Sequence, residues 1–282
     1  MQISGLFIYP FKSARGIALP QARVEATGLA GDRRMMLVDP SGHFITQREL
    51  PELARLSALP GAAYLTLRFD DGPEMMVAPP QPDNRMDVAI WRSIVSAAVA
   101  HDSVNDKLSD LFGRPVKLVF IDGESRRDAS PEWAGEGSPM GFADGYQILV
   151  TTTGSLRALN EDMARHGEGS VDMDRFRPNI VLDCDEPWAE DTWTGIEIGG
   201  LRFDFVKPCP RCIMTTQDQE TGSREGANPM PAMGRIRMSA DRRVPGVLFG
   251  WNAVPRGEGV VRVGDAATVL GTREGWAIKQ QR

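Results

Sequence analysis

Short apolar or alternating runs, separated by turns rich in glycine and proline, dominate the chain and predict a β-rich fold. GLFIYP at 5–10 is an apolar run ended by Pro10, and RRMMLVDPSGHFITQRE at 33–49 predicts two strands joined at DPSG. AAYLTLRF at 62–69 alternates as a half-buried strand does. The first helical pattern spans Ser103 to Phe112, with Ser103 as cap, Val104, Leu108, Leu111 and Phe112 on one face, and Gly113 as stop. RPVKLVFID at 114–122 returns to strand.

Residues 122–145, DGESRRDASPEWAGEGSPMGFADG, lack periodicity and predict a long loop between two modules, 1–122 and 123–282. Beyond it, YQILVTT predicts a strand, followed by a helix with Leu156, Leu159 and Met163 on one side and Gly167 after it. NIVLD, GIEIGG, LRFDFV, VLFGWNAV, GVVRVGD and ATVLG are then closely spaced short strands, as in a barrel or sandwich. The expected class is α+β, β-dominated, with a few helices.

Composition narrows the class without changing it. The 282 residues are 41% hydrophobic and 25% charged, ordinary for a globular protein, and no repeat or low-complexity run stands out. A net charge of −6 opposes the long-range attraction that nucleic-acid binding needs. No stretch approaches the ~18 apolar residues of a membrane span, and Lys12 and Arg15 follow the first apolar stretch, the reverse of a signal peptide. Three cysteines form no disulfide framework, so a cytoplasmic, unanchored protein is expected.

Two of those cysteines, Cys209 and Cys212, are spaced as CxxC in KPCPRCIMTTQDQETG at 207–222. A dithiol redox centre needs a helix start to lower a thiol pKa, and IMTTQDQETG propagates a helix poorly. Structural zinc needs four ligands, yet Cys184, His43, His101 and His166 are scattered singly. Two readings stay open: a pair of small buried apolar residues, or one thiolate that Lys207 and Arg211 favour and that ligates a soft metal centre.

KPCPRCIMTTQDQETG resembles the signature of the MOSC-domain family, in the branch of the mitochondrial amidoxime-reducing component and its bacterial relatives. So do, in the family's order, YPFKS at 9–13, GLAGDRRMMLVD at 28–39, FITQRELPEL at 44–53, FADGYQILVTTTGSLRALN at 142–160, RFRPNIVL at 175–182, WAEDTW at 188–193 and FGWN at 249–252. The resemblance implies a MOSC β-barrel core with an N-terminal β-rich MOSC module, and a molybdenum cofactor whose metal Cys212 ligates, with Cys209 as neighbour. It implies cofactor binding by Lys12, Ser13, Arg33, Thr152, Thr153, Arg177, Asn179 and Arg211. An anionic cofactor on an acidic protein needs such local cations, although Lys12 and Arg33 taken alone read as solvated surface.

Asp218 is the candidate for proton delivery, because it lies within the signature; Glu49 and Glu220 read as ordinary exposed carboxylates. Cys184 and the methionines Met35, Met36, Met75, Met76, Met230, Met233 and Met238 read as packing residues. The implied activity is reduction of N-hydroxylated compounds such as amidoximes, hydroxylamines and N-hydroxylated bases, without pyridoxal phosphate. No cysteine follows Cys212, so no iron–sulfur cluster is expected and a separate electron donor is implied: a reductase, a ferredoxin or a cytochrome. The alternative is a cofactor carrier or sulfur-delivery module, as at the end of molybdenum-cofactor sulfurases.

Overall fold

A computed structural model describes residues 1–61, 63–70, 72 and 74–279. Its main sheet has eight strands in the order Ala267–Thr272, Trp193–Ile198, Leu201–Pro210, Leu248–Arg256, Ile148–Thr152, Ile180–Asp183, Gln2–Ile8 and Ile17–Ala18. The bridge between Gln2 and Ala266 joins the first strand back to the other side and closes the sheet into a barrel. Ile3, Leu6, Ile148, Ile180, Ile196, Phe203 and Trp251 fill its interior, each 1% exposed or less.

One pair in the barrel is parallel, Ile148–Thr152 with Ile180–Asp183, and parallel neighbours require a crossover. Helix α3 (Thr153–Arg165) supplies part of it, burying Leu159 and Met163 against Phe176, Phe249 and the short helix α4 (Met230–Ile236). Gly154 is required at the start of α3, since a Cβ there would lie 2.6 Å from the Cys184 carbonyl oxygen.

The N-terminal half adds a four-stranded sheet in the order Met35–Val38, Lys117–Phe120, Ser93–Val99, Arg85–Ile90, and a three-stranded sheet, Leu56–Pro60, Leu65–Phe69, Glu74–Val77. Helix α1 (Asp102–Phe112) packs on the first of these through Val104 and Leu108. The fold is thus α+β and β-dominated, as the apolar pattern predicts. Strand pairing crosses the expected boundary after residue 122: Gln2–Ile8 lies in the C-terminal sheet, and Gln21–Glu25 pairs with Gly259–Arg262.

Several local expectations change. The second arm of the predicted hairpin at 33–49 is not a strand: Phe44 makes only a bridge to Val38, and the amides of Glu49 and Leu50 donate to the Thr46 carbonyl and turn the chain. The cap of α1 is the His101 ring, which accepts from the Ser103 amide, and Leu111 is exposed. In the predicted strand at 62–69, Leu65–Phe69 is strand and Ala62 lies outside the described residues. The loop 122–145 carries a one-turn helix α2 (Pro131–Ala134) and a bridge between Asp128 and Pro139.

Candidate active site

A cleft of ≈310 Å³ opens beside the end of Leu201–Pro210. Five cationic side chains line it, Lys12, Arg33, Arg177, Lys207 and Arg211, against the single carboxylate of Asp144. A protein of net charge −6 therefore concentrates positive charge at one place, which suits an anionic ligand. Three lining residues, Ser13, Arg33 and Arg177, hold left-handed backbone conformations with φ of 64°, 45° and 52°, unusual away from glycine and common at binding sites.

Tyr9 organises the cations on one wall. The guanidinium carbons of Arg33 and Arg177 each lie 4.2 Å from its ring centroid, close enough for cation–π attraction. Arg33 Nη1 also donates to Asp32 Oδ2 at 2.6 Å and to Asn179 Oδ1 at 3.1 Å, and Nη2 donates to the Arg177 carbonyl. The Tyr9 hydroxyl donates to the Pro178 carbonyl at 3.1 Å; burial pushes its pKa up to about 12 even though both guanidiniums pull it down. Burial likewise pushes Arg177 down to about 10, a cost that a bound anion would offset.

The two thiols are unequal. Cys209 lies within Leu201–Pro210, and its Sγ receives Arg211 Nη1 at 3.0 Å. Cys212 lies beyond the strand end, exposed, at the start of a 3₁₀ turn, Ile213–Thr216; its thiol has no hydrogen-bond partner among the described residues. No α-helix starts there to favour a dithiol pair. Arg211 Nη2 donates to the Phe176 carbonyl at 2.8 Å, while its buried Nε has no partner.

The loop after Cys212 is docked on the N-terminal half. Gln217 Nε2 donates to the Gln47 carbonyl at 3.0 Å, and Gly222, at φ 76°, lies so close that a Cβ would sit 2.3 Å from the Pro51 oxygen. The N-terminal half thus holds the loop that follows Cys212.

Of the expected site residues, Lys12, Ser13, Arg33, Arg177, Asn179, Arg211 and Cys212 come together in the cleft. The Asn179 amide is committed to the scaffold: Oδ1 accepts from the Leu149 amide at 3.1 Å and Nδ2 donates to the Phe7 carbonyl at 3.1 Å. Thr152, Thr153 and Asp218 do not line the cleft. Thr152 is buried, caps α3 by accepting from the Ser155 amide, and donates to Glu190 Oε2 at 3.0 Å. The Thr153 hydroxyl donates to the Cys184 carbonyl, and Asp218 Oδ1 closes its own turn by accepting from the Glu220 and Thr221 amides.

Asp144, Tyr146 and Asn252 line the cleft and were not expected, and Lys207, expected as a cation favouring the thiolate, lines it too. The signal for Asp144 was the DG pair of FADGYQ, which turns the chain into the strand Ile148–Thr152; the expectation fell instead on the threonines at that strand's other end. Asp144 Oδ1 accepts from Lys12 Nζ and, at 3.1 Å, from Trp91 Nε1. Its side chain is 69% exposed yet ringed by protein at the cleft mouth. That crowding pushes its pKa up, but the Lys12 ammonium and the two donors outweigh it and hold the carboxyl well below the usual range. Lys12 also donates to the Phe142 carbonyl at 2.9 Å; burial draws it below its ordinary value and Asp144 draws it back.

The chain is similar to known proteins over most of its length. Residues 1–115 match the family described as the MOSC N-terminal beta barrel domain, and residues 138–268 match the MOSC domain. The chain is 26% identical to mitochondrial amidoxime-reducing component 1 of Danio rerio, over 93% of this chain and 83% of that one. It is 27% identical to mitochondrial amidoxime-reducing component 1 of Homo sapiens, over 95% of this chain and 83% of that one. It is also 25% identical to molybdenum cofactor sulfurase of Oryza sativa subsp. japonica, over 92% of this chain but only 33% of that longer protein. With both modules matched in order along the chain, the protein belongs to the MOSC-domain family.

Proposed function

We propose that this chain is a molybdenum-cofactor-dependent reductase of N-hydroxylated compounds that takes its electrons from a separate donor protein. The observation that carries the reading is the pairing of one exposed thiol, Cys212, unpartnered among the described residues, with a five-cation cleft. The donor set fits the group: a soft sulfur ligand for the metal, cations for its phosphate, and the orphaned Arg211 Nε as a donor awaiting an acceptor. No cluster of three His, Cys, Asp or Glu able to hold a metal occurs among the described residues, so a metal at Cys212 would draw its other ligands from the cofactor.

In this reading Cys212 ligates the metal, while Lys12, Arg33, Arg177, Lys207 and Arg211 bind the anionic part. When bound, the molybdenum cofactor supplies a two-electron redox centre for cleavage of the N–O bond. The balanced reaction is R–NH–OH + 2 e⁻ + 2 H⁺ → R–NH₂ + H₂O. Asp144, held ionised, accepts an N–H from substrate at the cleft mouth and orients it, and the two protons come from solvent at that open end. Thr152 and Thr153 act on the site only indirectly, by starting α3, and Asp218 by shaping the loop after Cys212.

The likeness to the sulfurase supports a second reading, a cofactor carrier without its own turnover. Cofactor-loaded protein supplied with a chemical reductant separates the two: reduction of an amidoxime to an amidine supports the reductase, and loaded protein inert toward every N-hydroxylated compound tried supports the carrier. No described helix is long and apolar enough to cross a membrane.

A further inference from the structure

An exposed tryptophan, Trp91, is hydrogen-bonded to Asp144, which lines the cleft. Trp91 occupies the two-residue turn between Arg85–Ile90 and Ser93–Val99, where Ile90 pairs with Ser93. Its φ is 54°, a conformation that turns fill with glycine or asparagine and that is an outlier for a bulky side chain. The residue is 50% exposed, and such strain persists only where surrounding structure holds it.

What holds it is the cleft mouth. Trp91 Nε1 donates to Asp144 Oδ1 at 3.1 Å, the Phe44 ring lies 5.0 Å away, and the Arg48 guanidinium lies 4.8 Å from the indole. Phe44 in turn lies 5.7 Å from the Lys12 ammonium that lines the cleft. Two segments of the N-terminal half thus set an aromatic rim, backed by a cation, beside Asp144, the one carboxylate among the described lining residues.

Resting on the reading above, we propose that Trp91, with Phe44 and Arg48, is a specificity rim that stacks planar π-systems bearing the reactive nitrogen. It would select aryl amidoximes and N-hydroxylated heteroaromatic bases over small aliphatic hydroxylamines. A planar amidine lying along the indole presents its N–H groups to Asp144 while the ring makes the stacking contact.

The test is calorimetric binding of benzamidine, a planar amidine without a reducible N–O bond, to the full chain. Wild type binds benzamidine more tightly than acetamidine; Trp91→Gly loses about tenfold in benzamidine affinity, and Trp91→Phe recovers most of it. Because glycine relieves the strained φ, Trp91→Gly keeps its melting temperature within a few degrees. Equal benzamidine affinity in wild type and Trp91→Gly, or no benzamidine binding by wild type, overturns the proposal. The binding assay does not depend on turnover: loaded protein that reduces no N-hydroxylated compound, yet loses benzamidine on Trp91→Gly, fells the reductase reading and leaves the rim standing.

Discussion

Arg211 Nη1 lies 3.0 Å from Cys209 Sγ and donates to it, so one thiol of the CxxC pair is engaged by the cation between them. Cys212, at the other end of the same four residues, is exposed and has no such bond among the described residues. The spacing that suggests equivalence therefore hides a division of roles. Cys209 helps position a guanidinium, and the Cys212 thiol has no hydrogen bond among the described residues, as the proposed ligand role needs.

Arg211→Ala removes a fork whose Nε is buried and unpartnered. A hydrogen bond to a charged group contributes about 1.5–3 kcal/mol. Cofactor affinity should fall roughly ten- to a hundredfold, read as molybdenum retained after dialysis at rising salt, and Arg211→Lys should recover only part of it because lysine keeps the charge and loses the fork. Full retention by the alanine variant would show that no anion sits against this side chain.

Tyr9 provides a pH signature. Its folded pKa is raised from 10.0 to about 12, chiefly by burial. A group raised above its unfolded value contributes stability that is complete below the unfolded pKa and lost as pH rises through the folded one. The contribution should be intact below about pH 10 and disappear between about 10 and 12. Ultraviolet tyrosinate titration should find a late step near pH 12 shared by Tyr9 and Tyr146, whose pKa burial also pushes up to about 12, and Tyr9→Phe should remove about half of its amplitude.

Asp191 tests the barrel rather than the cleft. Its Oδ1 accepts from Trp251 Nε1 at 2.8 Å and its Oδ2 lies 2.8 Å from Arg237 Nη2, with both charged side chains buried. Asp191→Ala strands the Arg237 charge and should cost about 3–5 kcal/mol by chemical denaturation. Asp191→Asn, which keeps the packing and an acceptor for the indole, should cost less; equal losses would place the whole cost in the charge that faces Arg237.

Gly222→Ala tests the docking of the loop. At φ 76°, with a Cβ 2.3 Å from the Pro51 oxygen, alanine cannot fit without displacing the backbone. We expect about 1–3 kcal/mol of destabilisation and a changed alkylation rate at Cys212. An unchanged rate at lowered stability would uncouple the loop from the thiol.

Much of this was legible before the structure. Apolar alternation located most of the strands, and the crossover helix followed from Leu156, Leu159 and Met163. What alternation cannot show is partnership between distant strands: nothing local announces that Gln2 pairs with Asp183. The cationic cleft residues were readable as a set only through the family resemblance of several short motifs, and Thr152 and Thr153 carried no sign of whether they face a cleft or a helix start. Asp144 was hidden in a loop whose composition suggested only a linker. Its role comes from the ammonium and indole brought to it by residues 132 and 53 positions away.

The most direct measurement is the molybdenum content of the purified full chain from a host that makes the cofactor, compared among wild type, Cys212→Ala and Cys209→Ala. The account predicts about one molybdenum per chain in wild type, little or none in folded Cys212→Ala, and most of the wild-type content in Cys209→Ala. Folded wild type without molybdenum, or equal loss in the two cysteine variants, would contradict it.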